Sequence, residues 1–322
     1  MNDLQLPINS INFTPNAQTL CIALANGFAI FSLGHLKLRI HRTFDEQSFG
    51  NVSCLNDSSL IVCSATFGPS TAQEKMLCIY DNTLGRIVFE VQSPEPIKKV
   101  FSLKKIFGFS TKSEFRIYTF DPPILYAQYK IRSNDLNPCD IVESGESFVL
   151  AIIGRNPGVA RIIRGEKCDK KDISITAHSH PITILKLSCD GNFVATASSL
   201  GTVIKLFSTK TGNLIGQFRR GTLQAEIQSI SFSPNSELLA ISSSKGTIHV
   251  FPIKRLHGSS EIRSDMKTTC PTLISPVLCF ASNNILYAAS NSGVVSTFAI
   301  NETIKTVNIT DSESFTDCLA NQ

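Results

Sequence analysis

The chain of 322 residues contains no tryptophan and only three methionines. The first absence excludes any repeat signature built on a Trp-Asp dipeptide. No apolar run reaches the roughly 18–20 residues that cross a bilayer as a helix. The best candidate, TLCIALANGFAIFSL, is broken by Asn26 and Gly27 and reads as two strands around a turn. The N-terminal MNDLQLPINS has neither the basic nor the apolar region of a secretory signal. The ten cysteines form no Cys-x-x-Cys pair and fall mostly in strand-like runs, so buried free thiols are expected rather than a disulfide frame or metal site. The signatures G-x-S-x-G, H-E-x-x-H and G-K-[ST] are all missing. These absences describe a soluble intracellular chain with no cofactor and no enzymatic machinery.

What is present is repetition. INFTPNAQTLCIALANGFAIFSL, LKLSCDGNFVATASSLGTVIKLFS, ISFSPNSELLAISSSKGTIHVFPI and LCFASNNILYAASNSGVVSTFAI share one plan. Each runs as strand, polar turn, strand of small and apolar residues, Gly-containing turn, strand. Leu187 to Phe232 and Gly201 to Gly246 are both 45 residues, and Gly246 to Gly293 is 47. A period near 45 with room for a fourth strand marks the blades of a propeller. Residues 49–91, 97–130 and 138–163 supply the remaining units, and little room is left for a long helix. The expected fold is all-β: a seven-bladed, WD40-like propeller with four antiparallel strands per blade and no Trp-Asp signature. Residues 1–310 are assigned to this single domain. The acidic tail 311–322, DSESFTDCLANQ, is expected to be disordered.

The net charge of +4 is too small to imply nucleic acid, but its distribution is uneven. Between Gly201 and His257 there are seven Lys or Arg residues against two acids. Among them is an adjacent pair, Arg219 and Arg220, in GQFRRGT. Successive side chains on a strand point to opposite faces. If NLIGQFRR is the fourth strand of its blade, one guanidinium goes to each side, and Gly221 allows a sharp turn after them. Before the pair lie Thr196, Ser198, Thr202 and Lys205; after it lie Ser243, Ser244, Thr247 and His249. An arginine fork with clustered hydroxyls suits a phosphomonoester, whose oxygens accept several charge-assisted hydrogen bonds. His178 and His180 could make a metal pair but lack a third ligand nearby in sequence, so a turn or head-group contact is favoured.

QFRRGT resembles the F-R-R-G motif of the PROPPIN (WIPI) family of seven-bladed propellers, which bind phosphatidylinositol 3-phosphate and phosphatidylinositol 3,5-bisphosphate. AHSHPITILKLSCDGNFVATASSLGTVIKLFSTKTGNLIGQFRRG resembles the family's fifth blade, LLAISSSKGTIHVF its sixth and EKMLCIYDNTLGRIVFEVQSPEPIKKV its second. The resemblance implies a first head-group site of Thr196, Ser198, Gly201, Thr202, Lys205 and Arg219. It implies a second of Arg220, Ser243, Thr247 and His249, with Gly221 at the turn. Lys205 stands where the family often has arginine, Leu200 replaces a common lysine, and GTLQAE lacks the bases many members carry after the motif. The family's membrane-entering loop corresponds to KRLHGSSEIRSDMKTT, where Leu256, Ile262 and Met266 are the apolar candidates, with Lys254, Arg255, Arg263 and Lys267 near head groups. The implied role is peripheral recruitment from the cytoplasm to autophagosome-precursor, endosomal or vacuolar membranes. Autophagy proteins would be the partners, including the large bridging lipid-transfer protein, with residues 69–76 as a docking surface by analogy. The alternative is a protein–protein scaffold that binds no lipid.

Overall fold

In the computed structural model, residues 7–45, 47–55, 58–67, 75–165, 170–255, 261–270 and 273–320 are described. Positions 69–74 of the expected docking surface, and Leu256 of the expected membrane loop, lie outside them. The strands form seven sheets, six of four strands and one of five, each built from strands consecutive in the chain apart from one addition described below. The fold is a seven-bladed β-propeller. Its residues divide into two compact units, Met1–Asp135 with Glu313–Gln322, and Leu136–Ser312.

Within each blade the fourth strand is the least buried among the described residues, and composition follows. Thr19–Leu24 (TLCIAL) and Leu238–Ser243 (LLAISS) are buried at every position and carry small or apolar residues without alternation. Arg86–Gln92 (RIVFEVQ) alternates exposed and half-buried residues, as a strand with one solvated face does.

Two side-chain devices recur at the turns. After the first strand, a hydroxyl bonds the carboxylate or amide two residues on: Thr14 to Asn16 at 2.9 Å, Ser188 to Asp190 at 2.5 Å, Ser233 to Asn235 at 2.8 Å and Ser282 to Asn284 at 2.8 Å. Such local bonds favour turns over strand continuation. After the second strand, Gly201, Gly246 and Gly293 adopt φ of 60°, 69° and 85°, a region where a side chain is strained. Each donates its N–H to the carbonyl three residues back, on Ser198, Ser243 and Ser290. The glycine period in the sequence is therefore a backbone requirement.

Blades pack face to face through apolar clusters. In the first unit Phe28 meets Phe49 edge-on at 5.7 Å between blades one and two, and Phe89 meets Phe107 at 5.6 Å between blades two and three. In the second unit Phe218 and Phe251 lie 5.0 Å apart between blades five and six. Leu238, Met266, Leu278 and Phe298 join blades six and seven. Cys21 and Cys54 are buried free thiols with sulfurs 3.2 Å apart.

Two sequence expectations need correction. The acidic tail carries regular structure as far as Ala320: Thr306–Ser314 is a strand and Phe315–Ala320 a helix. Its Phe315 and Leu319, four residues apart on one helical face, are buried, and Phe315 packs at 6.0 Å from Phe31. Charge counting missed this because the acids occupy the other positions and the Ser314 hydroxyl caps the helix at the Asp317 N–H.

Within the segment expected to enter the membrane, the described residues 261–269 supply two strands. Met266–Thr269 is the fourth strand of blade six, antiparallel to Thr247–Pro252. Met266 is fully buried in the core between blades six and seven, and Ile262 packs half-buried between blades five and six. Met266 thus has no apolar surface to offer a bilayer. The outer edge of blade five is also not its fourth strand, because Glu261–Arg263 adds to it in parallel, pairing with Gln217, Phe218 and Arg219.

Truncating a buried methionine removes its contacts and leaves a cavity. Met266→Ala is expected to lower unfolding stability by about 2–5 kcal/mol in urea titrations. Unchanged stability would contradict its place in the core.

Candidate functional site

Residues directly opposite each other in paired strands share a face. In blade five Thr196 pairs with Lys205, Lys205 with Gln217, and Val203 with Arg219. Thr196, Lys205 and Arg219 therefore line one face, and Ser198 follows two residues along from Thr196. Phe218, one residue before Arg219, lies on the opposite face in the core shared with blade six.

The first face meets the chain that leaves blade four. The His178 ring Nε2 is 3.0 Å from the Thr196 hydroxyl, and Lys205 Nζ donates to the Ala177 carbonyl at 2.8 Å. Burial, then the nearby Lys205 charge, pushes the His178 imidazole down to about 4, so it is neutral near pH 7. The ring is a partner of Thr196 rather than half of a metal pair. Arg219 makes a two-pronged ion pair with Glu261, Nε to Oε1 at 2.6 Å and a terminal nitrogen to Oε2 at 2.7 Å. That contact raises the arginine further and lowers the carboxyl.

Arg220 goes the other way. Its N–H holds the Thr202 carbonyl at 2.9 Å, while its guanidinium donates to the carbonyls of Gly201, at 2.8 Å, and Leu223. Gly201 contributes backbone here: a Cβ would sit 1.7 Å from the Ala225 carbonyl oxygen, so no larger residue fits. Gly221 has open space around the position of a Cβ, so sterics do not demand glycine there.

The second face belongs to blade six. Ser243 pairs with Thr247 and their hydroxyls are 2.9 Å apart; His249 pairs with Lys267, and Thr247 with Thr269. His249 is buried, and its Nδ1 makes no hydrogen bond among the described residues. Burial, then the charges of Arg220 and Lys267, pushes this imidazole down to about 4 as well. Those two cations thus join Ser243, Thr247 and His249 as one cluster.

Each face therefore carries an arginine of the pair, a lysine, a neutral imidazole and hydroxyls, and the first also carries Glu261 and Arg263. The structure brings together Thr196, Lys205 and Arg219 on one side, and Arg220, Ser243, Thr247 and His249 on the other. Thr202 contributes its backbone carbonyl at the junction. Sequence reasoning missed Lys267 and Glu261 as members of these faces. It took both for loop residues, because strands of four and three residues leave almost no periodic signal. The signal available was the missing fourth strand of blade six, whose register would have set Lys267 beside His249.

Both imidazoles are depressed from the ordinary value near 6.5, so the unfolded chain binds more protons than the folded one between about pH 6.5 and 4. Their contribution to stability is complete above pH 6.5 and is lost as pH falls toward 4. Unfolding free energy should decline from pH 7 to 5 in urea titrations, and the decline should flatten in His178→Gln and His249→Gln variants. Imidazole titrations by NMR should show both rings neutral at pH 6; a ring titrating near 6.5 would contradict its burial.

Comparison with known proteins places this architecture. Residues 124–291, just over half of the chain, match the PROPPIN family model. The chain is 31% identical to Ectopic P granules protein 6 of Caenorhabditis elegans over 77% of its length and 67% of that protein's. It is 25% identical to Autophagy-related protein 18 of Kluyveromyces lactis over 80% of its length and 65% of that protein's. A solved structure of Kluyveromyces lactis Hsv2 superposes with a TM-score of 0.83 at 20% identity, covering 96% of this chain and 99% of that one. The chain is a member of the PROPPIN family.

Proposed function

We propose that the chain is a phosphoinositide effector. It binds phosphatidylinositol 3-phosphate, phosphatidylinositol 3,5-bisphosphate or both through the two faces that Arg219 and Arg220 serve. One observation carries this reading: consecutive arginines are delivered to two separate clusters, each with a lysine, a neutral imidazole and hydroxyls. Two like clusters of cations and hydroxyls suit two phosphomonoesters, and a scaffold that binds only protein has no use for the repetition.

The chemistry divides among the residues. The arginine forks grip phosphate oxygens in two-pronged fashion, the lysines add mobile point charge, and Thr196, Ser198, Ser243 and Thr247 donate hydroxyl hydrogens. A neutral imidazole donates or accepts without adding a buried charge when no ligand is present. When a phosphate binds, its charge favours the imidazolium, which adds a cation only where it is wanted. Engagement of both faces raises apparent affinity by about 10²–10⁴ over one face alone. The effector reading also assigns membrane recruitment and docking of autophagy proteins, among them the bridging lipid-transfer protein, as further proposals. The family membership and the relative named Autophagy-related protein 18 support them.

The deciding experiment is co-flotation with vesicles containing phosphatidylinositol 3-phosphate. The parent chain is expected to float and a folded Arg219→Thr/Arg220→Thr variant to stay in the soluble fraction. Equal flotation of the two would favour the scaffold reading. Lys267→Ala is expected to weaken flotation several-fold without changing the thermal midpoint, because Lys267 is exposed and its charge reaches His249 in the second cluster. No change in flotation would remove it from that cluster.

A further inference from the structure

The two clusters share an arginine, a lysine, an imidazole and hydroxyls, but their arginines are engaged differently. Arg220 meets carbonyl oxygens only, those of Gly201 and Leu223, and forms no ion pair among the described residues. No carboxylate among the described residues compensates its charge. Arg219 is fully engaged by Glu261, whose two carboxylate oxygens sit on the guanidinium fork as two phosphate oxygens would. The first cluster already contains an anion.

That carboxylate is held in place by the fold rather than by chance of rotamer. Glu261 begins the short strand Glu261–Arg263, which pairs in parallel with Gln217–Arg219. The middle residue, Ile262, packs into the core between blades five and six and pairs with Phe218. Burying Ile262 on one face puts Glu261 and Arg263 on the other, the face of Lys205 and Arg219. Arg263 stands directly opposite Arg219 in this register, and its charge also lowers the Glu261 carboxyl. The carboxylate therefore has a second cation within its field to turn to when Arg219 is claimed by another anion.

We propose that Glu261 is an internal occupant of the first cluster, which the phosphomonoester of a lipid head group must displace from Arg219. The two sites are then unequal. The Arg220 side takes a head group first, and the Arg219 side engages only when the second head group, presented at high local concentration by the same membrane, outcompetes the carboxylate. Glu261 thereby sets the density of phosphoinositide at which both sites are filled. This rests on the effector reading above.

The test isolates the first cluster. In an Arg220→Thr background, flotation is measured on phosphatidylcholine–phosphatidylserine vesicles with and without phosphatidylinositol 3-phosphate. Adding Glu261→Gln, which keeps the shape and removes the charge, is expected to raise apparent affinity about two- to fivefold, the scale of an exposed ion pair. The gain should require phosphatidylinositol 3-phosphate and should vanish when Arg219→Thr is added. No gain from Glu261→Gln while the parent chain floats would overturn the inference and leave the effector reading standing. A gain that survives Arg219→Thr, or appears on vesicles lacking the phosphoinositide, would also overturn it by assigning the effect to general charge. Failure of the parent chain to float would remove both.

Discussion

The alternation of side chains along a strand governs the functional geometry. Where a strand is packed between neighbouring sheets, two consecutive residues cannot serve the same surface. Phe218 is committed to the core between blades five and six, so Arg219 must face the chain leaving blade four. The strand ends at Arg219, and the Arg220 N–H is tied to Thr202, so the second guanidinium leaves on the blade-six side. Two cations that would repel each other on one surface are instead separated by a sheet. The same alternation places Thr196, Lys205, Thr247 and His249 beside the appropriate arginine.

Each cluster balances the cost of gathering cations without a bound anion. Like charges disfavour one another, and burial disfavours each of them singly. The two histidines meet this constraint by staying neutral, Lys205 by bonding the Ala177 carbonyl, and Arg220 by bonding two carbonyls. Arg219 instead takes a carboxylate partner, Glu261. Backbone dipoles thus hold Lys205 and Arg220 where a carboxylate holds Arg219.

Much of the fold was legible because its devices are local. Gly201, Gly246 and Gly293 recur where the backbone must turn left-handed, and the hydroxyl-to-Asx turns recur where the first strand must stop. The separation of the arginine pair followed from strand periodicity alone. What was not legible depended on tertiary partners. Met266 reads as an apolar anchor in a polar loop, yet its neighbours Leu278 and Phe298 are supplied by the next blade. Phe315 and Leu319 sit in an acidic stretch whose apolar pair matters only because Phe31, almost three hundred positions earlier, receives it. Glu261 is paired with a residue 42 positions away, in a strand too short to announce itself.

The parallel strand Glu261–Arg263 has a consequence for solubility. An uncovered strand at the margin of a sheet offers free N–H and C=O groups to any passing chain, and charged side chains are the usual deterrent. Other outer strands carry such deterrents: Lys37–Thr43 reads KLRIHRT and Lys170–Thr176 reads KKDISIT. The outer strand of blade five, LIGQFR, has a single charge at its last position, and that charge is committed to Glu261. The sheet of blade five, whose margin carries this one paired charge, is the one that carries a fifth strand. The three-residue addition covers the Gln217–Arg219 half of that edge as well as filling the grip of its arginine.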